Sequence, residues 1–130
     1  RQITDKKVYY VDGSVNVDIR EEFKSRMEKN DDVIIVASYG TFSTGISIKN
    51  IHNIFFTESF KSEVIIRQSI GRGLRKHESK DIVKIYDFID DFRYKAEDHD
   101  WVNYVYRHGI ARRTIYKEEK FPFEVQNIRF

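Results

Sequence analysis

The stretch Val33–Ser38, VIIVAS, is continuously apolar up to its last residue. A strand that is buried on both faces is typical of a parallel sheet covered by helices, so this stretch predicts an α/β fold. On either side of it, β-branched and aromatic runs predict three further strands. These are Lys7–Val11 (KVYYV), Ile51–Thr57 (IHNIFFT) and Ile82–Phe88 (IVKIYDF).

Helices are predicted between these strands. Asp18 is the expected N-cap of the first, in which Ile19, Phe23 and Met27 recur every four residues among charges. A second helix is predicted over 62–74, and the order strand, helix, strand, loop, strand, helix, strand is that of an α/β sheet. After Asp91 the pattern predicts a helical tail.

The tail is expected to be interrupted at one glycine and to pack back on the sheet. Trp101, Tyr104 and His108 suit one face of a helix, and Gly109 follows them. Two readings of its aromatic residues are open: Trp101 and Tyr104 dock the tail on the sheet, which we favour, or they stack on nucleic-acid bases beside neighbouring arginines.

Composition limits the class of protein. The 130 residues include no cysteine, one proline and six glycines, which indicates one modest globular domain without disulfides or thiolate metal sites. The four histidines are scattered, so no metal site is expected. Apolar runs such as Val33–Ala37 are far shorter than the roughly 20 residues of a membrane span. We therefore expect a cytoplasmic protein with no membrane contact.

Charge is informative only locally. The net charge is +2, from 23 basic and 21 acidic residues, so the whole chain shows no nucleic-acid signature. Residues 61–76, however, hold five basic side chains and one acidic one. Within this cluster lies QSIGRGLR, residues 68–75, where Arg72 and Arg75 are three positions apart and would project from one side of a helix. Two guanidinium groups so placed suit a polyphosphate, although a solvated helix end is the alternative.

These motifs resemble those of the superfamily 2 helicases. QSIGRGLR matches the Q-x-x-G-R-x-x-R pattern of motif VI, and VASYGTFSTGIS, which ends 21 residues before Gln68, is similar to motif V. YYVDG and the downstream Arg20 resemble the loop and helix that follow motif IV, and IVKIYDFIDD resembles the last strand of the second RecA-like domain. The tail phrases NYVYRHGIARR and EEKF are similar to bacteriophage recombination helicases, so a phage-encoded protein would act in the infected bacterial cell.

The resemblance implies a RecA-like sheet and assigns roles to single residues. Arg75 is expected to be the arginine finger that reaches the γ-phosphate of ATP, with Arg72 as a second phosphate contact. Ser47 stands where many members carry aspartate. The expected nucleotide contacts are Gln68, Gly71, Gly45 and Ser47. The expected nucleic-acid contacts are Ser38, Thr41, Ser43, Thr44, Gly13, Arg112 and Arg113.

Half of the expected active site is absent from the sequence. There is no G-x-x-x-x-G-K-[ST] phosphate loop and no acidic DExx motif. ATP with Mg²⁺ is therefore expected to be bound mainly by a first RecA-like domain of the same protein, and this chain alone is expected to be inactive. We predict an N-terminally incomplete second motor domain over 1–92 and a helical extension over 93–130.

Three functions compete at this point. The leading expectation is a motor that unwinds or migrates branched DNA, or RNA–DNA hybrids, in replication, recombination and repair, with branched or single-stranded DNA as partner. A non-catalytic nucleic-acid-binding module with the same fold is the second. A restriction-type DNA translocase or an RNA helicase is the third.

Overall fold

The computed structural model describes residues 4–14, 16–30, 32–45, 47–95 and 100–129. Its elements are β1 (Lys7–Val11), α1 (Val17–Glu28), β2 (Val33–Ala37), a π-helical turn (Thr41–Gly45), β3 (Asn53–Phe56), α2 (Glu63–Gly73), β4 (Lys84–Asp87), β5 (Tyr94–Lys95), β6 (Asp100–Trp101) and α3 (Tyr104–Glu118). The first four strands begin and end within two residues of their predicted bounds, and helices α1 and α2 lie between them in the chain. The predicted α/β class is therefore confirmed. None of the described helices is long and apolar enough to cross a membrane.

The chain divides into two compact units. Unit 1 comprises Arg1–Phe55 and Val64–Tyr86, and unit 2 comprises Phe56–Glu63 and Asp87–Phe130. Unit 1 therefore holds β1, α1, β2, the π-helical turn and nearly all of α2. Unit 2 holds β5, β6 and α3, and β3 and β4 contribute residues to both units.

Strands β1 and β2 pair in parallel, and one face of the pair lines the core of unit 1. Val8 pairs with Ile34 and Tyr10 with Val36. The buried residues of this core are Val11, Met27 and Ile48, against which Tyr9, Phe23, Val33, Ile35, Ala37 and Ile51 pack. Helix α1 thus covers one face of the pair, because Phe23 and Met27 lie on it.

The expectation that β2 is buried on both faces is wrong in this structure. Burial alternates along the strand, and Ile34 and Val36 are 37% and 47% exposed. The apolar run satisfies β propensity on both faces, but α1 packs against only the face that carries Ile35. The continuous apolar run therefore predicted the position of the strand correctly and its burial incorrectly.

Helix α1 begins two residues earlier than the predicted N-cap, Asp18, implies. Asn16 is the N-cap, and its side-chain oxygen accepts a hydrogen bond from the Asp18 amide at 3.2 Å. Asp18 instead lies in the first turn, where its charge favours the helix dipole. Ile19 is 58% exposed, so the predicted apolar stripe is reduced to Phe23 and Met27.

Strands β3 and β4 are hydrogen-bonded neighbours. The Lys84 amide donates to the His52 carbonyl at 3.0 Å, and the Phe88 amide donates to the Phe56 carbonyl at 3.1 Å. Both strands advance by four residues between these bonds, which is the pattern of parallel pairing. The rings of Phe55 and Tyr86 stack with their centroids 4.6 Å apart.

Helix α3 of unit 2 is continuous, and the predicted interruption at Gly109 is wrong. A Cβ placed on Gly109 would lie 2.5 Å from Cδ1 of Ile89, so the glycine permits close packing rather than breaking the helix. Trp101 belongs to β6, which pairs with β5 in antiparallel orientation, and the sequence does not predict these two strands. Trp101 and Tyr104 are 52% and 75% exposed, so solvent reaches half or more of each side chain.

Candidate functional site

The segment after β2 folds into a turn that its own hydroxyl groups hold. The Ser38 hydroxyl donates to Oγ1 of Thr41 at 2.9 Å. The hydroxyls of Ser43 and Thr44 both donate to the Gly40 carbonyl, at 3.2 and 2.7 Å. Serine and threonine side chains favour turns because they offer the backbone such local partners. We call residues 38–47, the part matching motif V, the motif V turn.

The hydroxyl side chains of this turn differ in accessibility. Thr41 and Ser43 are 6% and 3% exposed, whereas Ser38 and Thr44 are exposed. The buried pair stabilises the turn from within. Of the four residues of this turn that are expected to contact nucleic acid, Ser38 and Thr44 are therefore the two with exposed side chains.

Helix α2 presents the residues of motif VI. Gln68 and Gly71 are exposed on it, and a Cβ at Gly71 would meet open space. The helix ends at Gly73, so Arg75 lies just beyond it and not on the helix as expected. The Arg75 amide bonds to the Arg72 carbonyl at 3.4 Å, an i to i−3 contact that tightens the end of the helix.

The two arginines of motif VI connect α2 to the motif V turn. Nε of Arg72 donates to the Ser43 carbonyl at 2.9 Å. Nη1 of Arg75 donates to the Ser47 hydroxyl. Both contacts lie within unit 1 and join residues 28 or 29 positions apart in the chain. The structure thus brings together Arg72, Arg75, Ser43 and Ser47.

The electrostatics of this pair favour an anion. Burial lowers the pKa of the half-buried Arg72 guanidinium from its ordinary value, and the nearby positive charge of Arg75 lowers it further. A phosphate group within reach of both guanidinium groups would stabilise the charge that burial and the neighbouring Arg75 disfavour at Arg72. Arg75 itself is exposed, so a ligand can reach it.

Arg20 is a residue of this region that sequence reasoning overlooked as a site residue. Its Nη2 donates to the Gly13 carbonyl at 3.0 Å. A Cβ on Gly45 would lie 3.1 Å from its Nη1, so the absence of a side chain at Gly45 leaves room for the guanidinium. Nε of Arg20 is buried without a described partner. The sequence signal is weak, because an arginine on an amphipathic helix is ordinarily solvated.

Arg112 is buried, which contradicts the prediction that it contacts nucleic acid. Its side chain is 0% exposed and lies in unit 2. The guanidinium donates to both carboxylate oxygens of Asp87 at 2.6–3.0 Å and to the Phe60 carbonyl at 2.7 Å. A nucleic acid cannot reach a group so enclosed. Arg113 is half-buried and keeps part of its surface exposed.

No metal centre accompanies these groups in the part of the chain that the structure describes. No set of three or more His, Cys, Asp or Glu side chains lies close enough there to hold a metal ion. The described groups suited to phosphate are the exposed Arg75, the half-buried Arg72 and the open backbone at Gly71. Their charge and accessibility suit a phosphate group, and none of these described groups is a carboxylate.

Comparison with known proteins places this geometry in a family. No model of a protein family matches the chain. The ATP-dependent DNA helicase uvsW of Enterobacteria phage T4 is 42% identical over 128 residues, which cover 94% of this chain and 26% of the relative. The putative ATP-dependent helicase IRC3 of Saccharomyces cerevisiae is 41% identical over 61 residues, which cover 47% of this chain and 9% of that protein.

Solved structures agree with these sequence matches. The crystal structure of T4 UvsW superposes with a TM-score of 0.66 at 44% identity, covering 90% of this chain and 25% of that one. The C-terminal part of the Fun30 ATPase domain gives a TM-score of 0.58 at 20% identity, covering 88% of this chain and 41% of that one, which is a likeness of fold.

The parallel strands, the paired motif V turn and motif VI arginines, and these matches identify the chain as a C-terminal RecA-like domain of the superfamily 2 helicases. Among the proteins of that superfamily it is similar to the UvsW helicase of phage T4. The chain spans about a quarter of the length of that relative.

Proposed function

We propose that this domain is the C-terminal motor half of an ATP-dependent DNA helicase and that Arg75 is its arginine finger. The observation that carries the proposal is the direct bonding of motif VI to motif V, through Arg72 to the Ser43 carbonyl and Arg75 to the Ser47 hydroxyl. A motor must couple its nucleotide contacts to its nucleic-acid contacts. These bonds join the two groups of residues within a single compact unit.

Arg75 has the chemistry that phosphoryl transfer requires. Negative charge spreads over the γ-phosphate oxygens as the bond to the leaving group breaks, and a guanidinium directed at those oxygens stabilises that charge. Arg75 is exposed, and its described partner is an uncharged hydroxyl that a phosphate can replace. ATP with its Mg²⁺ would be held mainly by a first RecA-like domain. Gln68 and Gly71 would face the nucleotide from α2, and Gly45 and Ser47 from the turn.

The motif V turn is the proposed track for the nucleic-acid backbone. Ser38 and Thr44 offer exposed hydroxyls, and Gly13, outside the turn, offers exposed backbone without a side chain. Such groups suit phosphodiester oxygens, which a translocating motor must contact without regard to sequence. Arg113 is proposed as a further phosphate contact. Branched DNA and RNA–DNA hybrids are the proposed substrates, on the resemblance of the tail.

The proposal keeps the division of the chain that the sequence predicts. Residues 1–92 would supply the motor domain and 93–130 the extension. The extension is anchored through Arg112, whose bonds to Asp87 and Phe60 hold α3 within unit 2. Its role would therefore begin with structural support of the strand end that carries Asp87.

The test is ATP hydrolysis by the intact protein that contains this sequence, with and without branched DNA, beside the 130-residue chain alone. We expect turnover by the intact protein that branched DNA stimulates, and none by the chain alone. Salt-sensitive DNA binding without turnover by the intact protein would instead indicate a non-catalytic module. Stronger stimulation by RNA or by unbranched duplex DNA would indicate an RNA helicase or a translocase.

A further inference from the structure

Helix α2 ends in close contact with the side chains of neighbouring segments. A Cβ at Gly73, the last residue of α2, would lie 2.7 Å from Cδ1 of Ile54 and 3.1 Å from Cγ1 of Val83. The backbone at this point therefore lies directly against the side chains of β3 and of the segment before β4. Arg75 follows two residues later, so the direction in which the chain leaves Gly73 decides where the Arg75 guanidinium can reach.

Lys80 closes the loop that carries Arg75. Its Nζ donates to the Gly73 carbonyl at 2.7 Å and to the Ile51 carbonyl at 2.8 Å. The last carbonyls of a helix have no partner within the helix and lie at the negative end of its dipole, so an ammonium group there is favourable on both counts. Residues 73–80 thus form a loop that the bond from the Lys80 side chain to the Gly73 carbonyl closes. Arg75 lies in the exposed part of this loop.

A polar network fixes the other end of this loop. The Lys80 amide donates to the His77 carbonyl at 3.2 Å, and the Ser79 amide donates to Nδ1 of His77 at 3.2 Å. The Ser79 hydroxyl donates to Oδ1 of Asn50 at 2.6 Å. Asn50 and Ile51 follow the motif V turn in the chain. The loop after motif VI is therefore bonded at two points to the segment after motif V.

Lys80 is half-buried, which indicates a structural role that an exposed surface lysine would not have. Burial lowers the pKa of its ammonium group, so the site disfavours the charge that it holds. The two carbonyl bonds offset that cost. An exposed lysine would stabilise a helix end with less loss of solvation.

We infer that Lys80 is a positioning residue for Arg75, which it serves by fixing the exit of α2 against the segment that follows motif V. The inference rests on the proposed role of Arg75 as the arginine finger. Lys80 makes no contact with nucleotide in this assignment. Its removal lets the 73–80 loop shift, and a shift of about 1 Å at a catalytic group is enough to lower a rate by about 100-fold.

The test compares Lys80→Met, Lys80→Arg and the control Lys84→Met in the intact protein. Lys84 is exposed on β4 and has no described side-chain contact. We expect Lys80→Met to lower kcat for ATP by about 10- to 100-fold with little change in KM, because the finger acts in the transition state. Lys80→Arg should recover part of this loss, since a guanidinium can also donate to both carbonyls. Lys84→Met should leave kcat unchanged.

Two further measurements separate positioning from folding and from failure of the proposed function. In an Arg75→Lys background, Lys80→Met should cause no further loss of kcat, because both changes act through the same group. An equal further loss, or normal kcat in Lys80→Met, overturns the inference. Should Lys80→Met be poorly folded, Lys80→Gln replaces it, because the uncharged glutamine amide nitrogen can still donate hydrogen bonds. Near-normal turnover by Arg75→Ala would instead overturn the proposed function.

Discussion

Helices α2 and α3 each carry a glycine followed within four residues by two arginines, yet the arginines lie in opposite environments. Arg75, just after α2, is exposed, and its described partner is the uncharged Ser47 hydroxyl. Arg112, on α3, is 0% exposed, and its guanidinium bonds to both carboxylate oxygens of Asp87. The pattern of glycine and arginine is therefore common to both helices, and the partners are not.

The difference concerns where the positive charge is compensated. A guanidinium bonded to a hydroxyl keeps its charge available to an incoming phosphate. A buried guanidinium bonded to a carboxylate has its charge neutralised within the protein, and breaking that pair leaves an uncompensated buried charge. We therefore propose that Arg75 acts in the chemistry and Arg112 in stability, and each role can be tested by substitution of the residue.

The largest effect is expected from Arg75→Ala in the intact protein. Loss of an arginine finger lowers ATP turnover by about 10³-fold or more, because the transition-state charge is no longer stabilised. DNA binding should remain within about twofold, since no contact to the nucleic-acid backbone is removed. Steady-state ATP hydrolysis and a DNA-binding titration provide the two readouts, and Arg129→Ala, at an exposed arginine, is the control. Turnover close to that of the control would remove Arg75 from the chemistry.

Arg112→Met should act in the opposite way, on stability and not on chemistry. Removing one partner of a buried ion pair costs about 3–5 kcal/mol, here because the Asp87 carboxylate, 12% exposed, loses its counter-charge. Denaturant unfolding of the intact protein measures the loss, and Lys117→Met, at an exposed position of α3, controls for the helix.

A second variant makes the Arg112 prediction sharper. Adding Asp87→Asn to Arg112→Met should restore part of the stability, because no buried charge then remains at this pair. In the unsubstituted protein the Tyr116 hydroxyl donates to Oδ2 of Asp87 at 2.8 Å, and the amide oxygen of asparagine can accept the same bond. Unchanged stability with weaker DNA binding in Arg112→Met would mean that Arg112 faces nucleic acid after all.

The same contrast shows what a sequence can and cannot predict. The four long strands and α2 follow from β-branched runs and helical spacing, which are properties of neighbouring residues. The burial of Arg112 depends on Asp87, which lies 25 residues away, and the position of Lys80 depends on Ile51, 29 residues away. Local patterns do not report such partners. Motif spacing identified Arg72 and Arg75 as a pair, and both bond to the motif V turn. It did not predict that α2 ends at Gly73, where the backbone lies against Ile54 and Arg75 falls beyond the helix.

Gly109→Ala tests whether the face of α3 is closely packed. The added methyl would lie 2.5 Å from Ile89, and overpacking of this kind costs about 1–3 kcal/mol. The helix propensity of alanine offsets up to about 1 kcal/mol of that cost. Thermal unfolding should show a lower midpoint, with turnover per folded molecule unchanged. A raised midpoint would mean that Ile89 moves aside and that α3 is not held as closely as Arg112 requires.

Gly71→Ala is the corresponding glycine substitution on α2. We expect it to change stability less than the other substitutions do, and to be more informative about function than Gly109→Ala. A Cβ there meets no atom within 4 Å, and no described glycine has a positive φ, so alanine fits and should stabilise the helix by about 0.5–1 kcal/mol. If a nucleotide phosphate approaches the backbone at Gly71, the same methyl should raise KM for ATP. A more stable protein with unchanged KM would separate Gly71 from the nucleotide and confine the proposed site to the arginines and the motif V turn.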